Sequence, residues 1–421
     1  MIQTFELLPG VTLRCFRDDR FKQGCLSVQL VRPMVRQEAA LNALLPAVLL
    51  RGTRNYPDLR AITLRLDDLY GASVSALVRR IGDYQTTGLY CAFMEDRFAL
   101  EGDRILEPMV DFLRQLLLDP VTEDGGFSRE YVESEKRNLI LTIESELNDK
   151  RAYAAGQLLR TMCKADSFGV PRLGDKEQVE KIDYLSAYAH YRKILSESPV
   201  ELFYVGGGQP EQVAALVKPL FAGIPRDPAA LPAQTPFHDG GQEHNTEQME
   251  VTQGKLCMGF VTPITNRSSD FAAMQVLNTV FGAGMTSKLF MNVREKLSLC
   301  YSIGSGYYGS KGIMTVSAGI DTDKEQLTRQ EILRQLEECC RGNITEGELR
   351  SAKEAILSGL RGVHDSPGAI ENYYGTSCIS GFAMTLAQYR QAVEQVTLAQ
   401  TAAAAQSLQL HSSFFLKGVE A

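Results

Sequence analysis

The feature that most constrains this chain is that its order of elements starts again partway along. Leu26-Ser-Val-Gln-Leu30 is echoed by Leu256-Cys-Met-Gly-Phe260, and each run is followed by a proline, Pro33 or Pro263, and then a helical stretch. Leu69-Tyr-Gly-Ala-Ser-Val74 is echoed in the same way by Leu297-Ser-Leu-Cys-Tyr-Ser302. The separations are 230 and 228 residues, nearly one register. Two echoes at matching separation, ahead of similar strand patterns, predict a duplicated domain. A length of 421 residues agrees, since it exceeds what one core ordinarily organises.

The local patterns give each copy an α+β character. Val11 to Phe16 and Leu26 to Val31 carry the β-branched, apolar spacing of paired strands. Ser73 to Arg79 and Thr86 to Phe93 alternate like antiparallel strands. Helical spacing runs over Glu38 to Leu50 (ended by Gly52), Pro108 to Leu118 and Arg129 to Leu147. A strand from Val200 to Val205 enters Gly206-Gly207-Gly208. Between Ile224 and Gln253 the chain turns rich in Pro, Gly and polar residues and loses its period, as a linker does. The expected boundaries are therefore a first domain over 1–223, a linker over 224–253 and a second domain over 254–421.

Several function classes are disfavoured at once. Net charge is −7 with no dense Lys/Arg block, so nothing forms the clustered positive face that nucleic acids require. The longest apolar run, Ala43 to Leu50, is far short of the roughly 20 residues that span a bilayer. The first residues lack the basic head and apolar stretch of a secretory leader. Nine scattered cysteines, none in a C-x-x-C pair, argue against a disulfide framework or a thiolate metal site. Reduced, buried thiols in a cytoplasmic protein are expected.

The second half contains Phe281-Gly-Ala-Gly-Met-Thr-Ser-Lys-Leu-Phe290, then Val293-Arg-Glu-Lys-Leu-Ser-Leu-Cys-Tyr301. This pair of runs resembles the second-domain signature of the insulinase, pitrilysin and mitochondrial processing peptidase family, roughly G-x-G-x-S-S-R-L-F followed by V-R-E-x-x-G-L-x-Y. The first half agrees at Leu50-Arg-Gly-Thr53, at Ser167-Phe-Gly-Val-Pro-Arg-Leu-Gly174 and at Tyr204-Val-Gly-Gly207. The resemblance implies two homologous domains, each a mostly antiparallel sheet flanked by helices, facing each other as a clam shell.

Active members of that family bind zinc through H-x-x-E-H on the first-domain helix plus a later Glu. Imidazole nitrogens and a carboxylate hold the metal, while the motif Glu takes a proton from the bound water. Matching Arg51-Gly-Thr53 to the family's K-G-T places Ala43, Pro46 and Ala47 at the His, Glu and His positions. The later ligand position, read from Glu135, falls on Thr142. Alanine has no donor atom, and proline offers no base and costs a helix interior about 3 kcal/mol, so an unbroken helix is not expected across Pro46. The acids Glu133, Glu135, Glu144 and Glu146 read more simply as a solvated helix face. The five histidines, 190, 238, 244, 364 and 411, hold no pair three to five residues apart. No bound cofactor is expected in this chain, zinc belonging to a catalytic partner.

What the signature retains is Arg294 and Tyr301, which match the Arg and Tyr that hold the substrate backbone and polarise the scissile carbonyl. Packing on a strand and pairing with a structural carboxylate would explain the same two residues. Gly282 and Gly284 match a flexible loop that touches substrate in non-catalytic processing-peptidase subunits; helix-breaking turn chemistry is the plainer reading. The resemblance thus implies the non-catalytic subunit of a heterodimer, partnered by a metal-bearing peptidase chain and handling peptide or unfolded protein. Bacterial, cytoplasmic members of this kind resemble proteins tied to peptide maturation or to modification of translation factor P. Two other readings stay open: a peptide-binding scaffold like the core subunits of respiratory complexes, and an active peptidase with a displaced metal site.

Overall fold

The computed structural model describes residues 2–382 and 384–418. It forms two compact units, and neither is a contiguous half of the chain. One unit contains residues 1–143, 170–233 and 363–376; the other contains 144–169, 234–362 and 377–421.

The first unit is built on a six-stranded sheet. Its strands are β1 (Ile2–Leu8), β2 (Val11–Arg17), β3 (Gln23–Pro33), β4 (Ser73–Ile81) and β5 (Tyr84–Met94). After a two-residue ladder of β6 (Thr122–Glu123) and β7 (Gly126–Phe127) comes β8 (Val200–Gly206). The order is β1-β2-β8-β3-β5-β4, antiparallel except where β2 runs parallel to β8. In the second unit β9 (His244–Met249), β10 (Gly254–Val261), β11 (Ser302–Tyr308), β12 (Ile313–Ile320) and β13 (Gln409–Gly418) lie in the order β11-β12-β10-β13-β9. Only the β13–β9 pairing is parallel. Read from β4 and from β11, the two sheets have the same succession and the same parallel step, with β1 added to the first. The echoed runs fall on equivalent strands, β3 and β10, and at the starts of β4 and β11. Duplication is thus carried by topology as well as by sequence.

Each sheet has two covered faces, and the second cover comes from the other half of the chain. On β3, Leu26, Val28 and Leu30 join the main core with α1 (Arg36–Leu49). The alternate residues Cys25, Ser27 and Gln29 meet the helix Pro367–Ser380, where Ile370 packs on Cys25 and Glu371 takes the Ser27 hydroxyl at 2.7 Å. On β10, Cys257 packs with Ala154 and Leu158 of the helix Lys150–Met162. A Cβ at Gly259 would lie 2.6 Å from the Met162 sulfur, so glycine lets that helix approach. A buried ion pair fixes each borrowed segment: Arg79 to Glu371 at 2.7 Å in one unit, Lys311 to Asp166 at 2.9 Å in the other. Removing one partner of such a pair leaves a buried charge uncompensated, which typically costs about 3–5 kcal/mol.

Two expectations need correction. The stretch 224–253 is not a free tether. Its first part bonds within the first unit through Asp227, Ala229 and Pro232. Its middle is pinned to Lys311 and Asp166 through Thr235, Phe237 and His238. Its end is β9, a polar edge strand recruited by backbone pairing rather than by an apolar face, which hides it from periodicity. The second correction is α1, which runs unbroken through Pro46.

Candidate functional site

Proline at position 46 removes the N–H that would bond the carbonyl of Asn42 one turn earlier. That carbonyl instead accepts the Thr87 hydroxyl of β5 at 2.6 Å, so the helix continues with no orphaned group. Asn42 is fully buried and is the hub of a polar chain. Its amide donates to Gln85 at 2.8 Å, and its oxygen lies 2.7 Å from His190 Nε2. Gln85 in turn donates to the carbonyls of Ala39 and Arg172. Burial drives the His190 imidazole down to a pKa of about 4, so it stays neutral and donates to Asn42. Around the expected metal helix, hydrogen bonds that close on themselves stand in place of ligands.

At the positions matched to the zinc motif, Ala43 and Pro46 are buried and Ala47 is half-buried. The Thr142 hydroxyl donates to the carbonyl of Asn138 within its own helix, Arg129–Ser145. Glu135, expected on a solvated face, has a mostly buried side chain bonded by Arg51 at 3.4 Å; Arg51 also stacks over Tyr131. The donor set does not fit zinc, since methyl groups, a pyrrolidine ring and an engaged hydroxyl supply neither imidazole nor carboxylate. Among the described residues no group of three or more His, Cys, Asp or Glu is placed to hold a metal.

The second unit keeps polar chemistry. The segment Leu289–Lys296 is a π-helix, a rare form that concentrates at functional sites. Leu289 and Val293 are its buried side; the turn after it bends through Ser298, whose φ of +50° is left-handed. Arg294 then lies back along the chain, with Nε donating to the carbonyl of Tyr301 at 3.0 Å and its guanidinium paired with Glu295 and stacked over Phe290. Arg294, Glu295, Ser298, Cys300, Tyr301, Asp321 and Lys324 help to line a cavity of about 330 Å³.

Tyr301 is 55% exposed, yet its phenol is engaged: it donates to Asp321 at 2.8 Å. That bond raises the Tyr301 pKa, while Lys324, 2.8 Å from Asp321, and the phenol hold the Asp321 carboxyl low. A phenol has one hydrogen to donate. In this arrangement it goes to Asp321, and the phenol offers incoming groups only its lone pairs. Burial pushes the Cys300 thiol up to about 11, so it is no nucleophile. The structure places Arg294 and Tyr301 against one another. The sequence pattern missed Asp321 and Lys324, which lie past β12 and carry no local signature.

The two glycines differ. Gly282 ends the helix Phe271–Phe281, and a Cβ there would meet Ser305 Oγ at 2.6 Å and Leu289 Cδ1 at 2.8 Å. It is a close-packing position at the end of that helix. Gly284 faces open space, beside the 76% exposed Met285.

Comparisons with known proteins converge. Residues 181–356 match the model of the peptidase M16 inactive domain. The chain is 28% identical over 411 residues to the "probable inactive metalloprotease YmfF" of Bacillus subtilis, covering 98% of this chain and 96% of that one. A conserved protein of Enterococcus faecalis, 28% identical, superposes with a TM-score of 0.91 over 99% of both chains. A peptidase M16 inactive domain from Pseudomonas fluorescens, at 16% identity, superposes with a TM-score of 0.82 over 100% of this chain and 99% of that one, which bears on fold alone.

Proposed function

Taking the chain as an inactive, insulinase-type relative of the M16 peptidases, we propose that it is the non-catalytic subunit of a two-chain peptidase, contributing a peptide-handling surface to a metal-bearing partner. One contrast carries the reading. All four positions matched to the zinc site have lost donor chemistry, whereas the Arg294–Tyr301 pair survives beside an open cavity. Zinc and the water it activates then belong to the partner, and this chain supplies hydrogen bonds and shape. The substrate class is peptide or unfolded protein, and a cytoplasmic setting fits the nine cysteines, seven of them buried.

The test is reconstitution with a metal-bearing relative from the same cell, with stoichiometry confirmed by size exclusion. Arg294→Ala should lower turnover per assembled complex by about a hundredfold or more, the usual scale for losing a donor aimed at developing charge. Unchanged turnover in a properly assembled complex would make the cavity irrelevant to hydrolysis. One observation favours a second reading, a peptide-binding scaffold without a proteolytic partner. Arg294, Tyr301, Asp321 and Lys324 already satisfy one another, as a cavity released from catalysis would. Failure to co-purify any metal-bearing relative from the native cell would favour that scaffold.

A further inference from the structure

Arg32, Lys136, Lys288, Lys311, Glu331 and Glu371 are all buried, and each has an oppositely charged partner within 2.9 Å. Glu95, just past β5 in the first unit, is only 7% exposed and breaks this rule. Its Oε2 accepts the Gly207 N–H at 3.0 Å, and its Oε1 lies 3.4 Å from the Tyr204 hydroxyl, both neutral groups. The cation beside it, Arg97, directs its guanidinium to the carbonyls of Asp19 and Phe21. The site is nevertheless built for a carboxylate: a Cβ on Gly24 or Gly206 would fall 2.3 or 2.2 Å from Oε1. Isolated buried charge is costly unless something arrives to compensate it.

What surrounds Glu95 indicates what could arrive. The carboxylate lines a cleft of about 170 Å³ together with Phe93, Leu106, Tyr204 and Gly207. The rings of Phe93 and Tyr204 lie 20° from parallel with centroids 6.5 Å apart. Asp96 adds negative charge to the lining, its Oδ1 held by the N–H groups of Ile105 and Leu106, and Arg97 adds a positive charge that is drawn off to the carbonyls of Asp19 and Phe21. A buried carboxylate that no cation bonds as an ion pair, set beside aromatic carbon, is the recognition chemistry of an organic ammonium. We infer that this cleft binds a primary ammonium group carried on a short apolar stem, with Glu95 as its counter-ion. Burial raises the Glu95 pKa, and a cation at the carboxylate would lower it again. This site is independent of the Arg294 cavity and of the proposed partnership.

Calorimetric titration of the full chain near neutral pH with n-butylammonium tests it, with n-butanol as the neutral isostere. Saturable binding of the ammonium, on the order of millimolar for so small a ligand, is expected, with none for butanol. Glu95→Gln, which keeps an acceptor for Gly207, should weaken it by at least about tenfold. In the wild-type chain, carbon-13 labelling of glutamate should show the Glu95 carboxyl resonance shifting on addition of amine, a readout that needs no variant. Nα-acetyl-lysine amide separates the sources: if it also binds, the natural cation is a side chain of another protein; if only the free amine binds, it is a small amine. Equal binding of butanol, equal affinity in Glu95→Gln, or no saturation with an unmoved resonance would each overturn the inference.

Discussion

The helix α1 and the π-helical cavity treat their polar groups in two different ways. Around α1 stand methyl groups, a proline ring and a hydrogen-bond chain from His190 to Gln85. Around Leu289–Lys296 the charged groups remain and face solvent, but they are tied to one another. The first region is packed as core. The second holds its polar chemistry in a self-satisfied form. At Pro46 the carbonyl that a helix N–H would otherwise reach is taken by the Thr87 hydroxyl.

The sharpest way to break this comparison is acid. Folded His190 stays neutral down to about pH 4, whereas an unfolded imidazole takes a proton near 6.5. As pH falls through that window the unfolded chain binds a proton that the folded chain refuses, so stability is lost by up to roughly 3 kcal/mol. Urea titrations at pH 7 and pH 4.5 should show a larger loss in the wild type than in His190→Gln. An equal loss would mean that the α1 network does not hold histidine neutral.

A smaller effect tests the proline repair directly. Thr87→Val should cost about 1–3 kcal/mol by leaving the buried Asn42 carbonyl unpaired. Adding Pro46→Ala restores a helix N–H for that carbonyl and should recover part of the loss. A double-mutant cycle with no coupling would show that the hydroxyl is incidental.

In the other region, Asp321→Asn should move the Tyr301 titration downward, toward its ordinary value, because the carboxylate that raises it is removed. Stability should change within about 0.5 kcal/mol, as for other exposed positions. Ultraviolet titration against a Tyr301→Phe control reads it, and an unmoved phenol would mean that Asp321 does not hold it.

The smallest expected effect is none. Ala43→His, Pro46→Glu and Ala47→His together should create neither tight zinc binding nor hydrolysis, since Thr142 still leaves the set one carboxylate short. Elemental analysis finding one zinc per chain in that variant would erase the distinction between the two regions.

Much of this was legible in order and spacing. The duplication, the strands β2 to β5 and β8, the absent zinc donors and the proximity of Arg294 to Tyr301 all follow from local pattern, because periodicity and ligand chemistry are properties of neighbouring residues. Other features depend on contacts between distant segments, on which local pattern is silent. Pro46 reads as a helix breaker until Thr87, on another strand, supplies the missing donor. Contiguous domains are the natural expectation until Glu371 and Asp166 carry their segments into the opposite units. The edge strand β9 has no apolar face to announce it. Asp321 is ordinary in sequence and decisive in space, because it takes the one hydrogen that Tyr301 can give. The sequence by itself determined which side chains stand at the motif positions; only the tertiary structure decided where the carbonyl of Asn42 and the phenol of Tyr301 find their partners, since a hydrogen bond is set by where its partner lies and not by what precedes it in the chain.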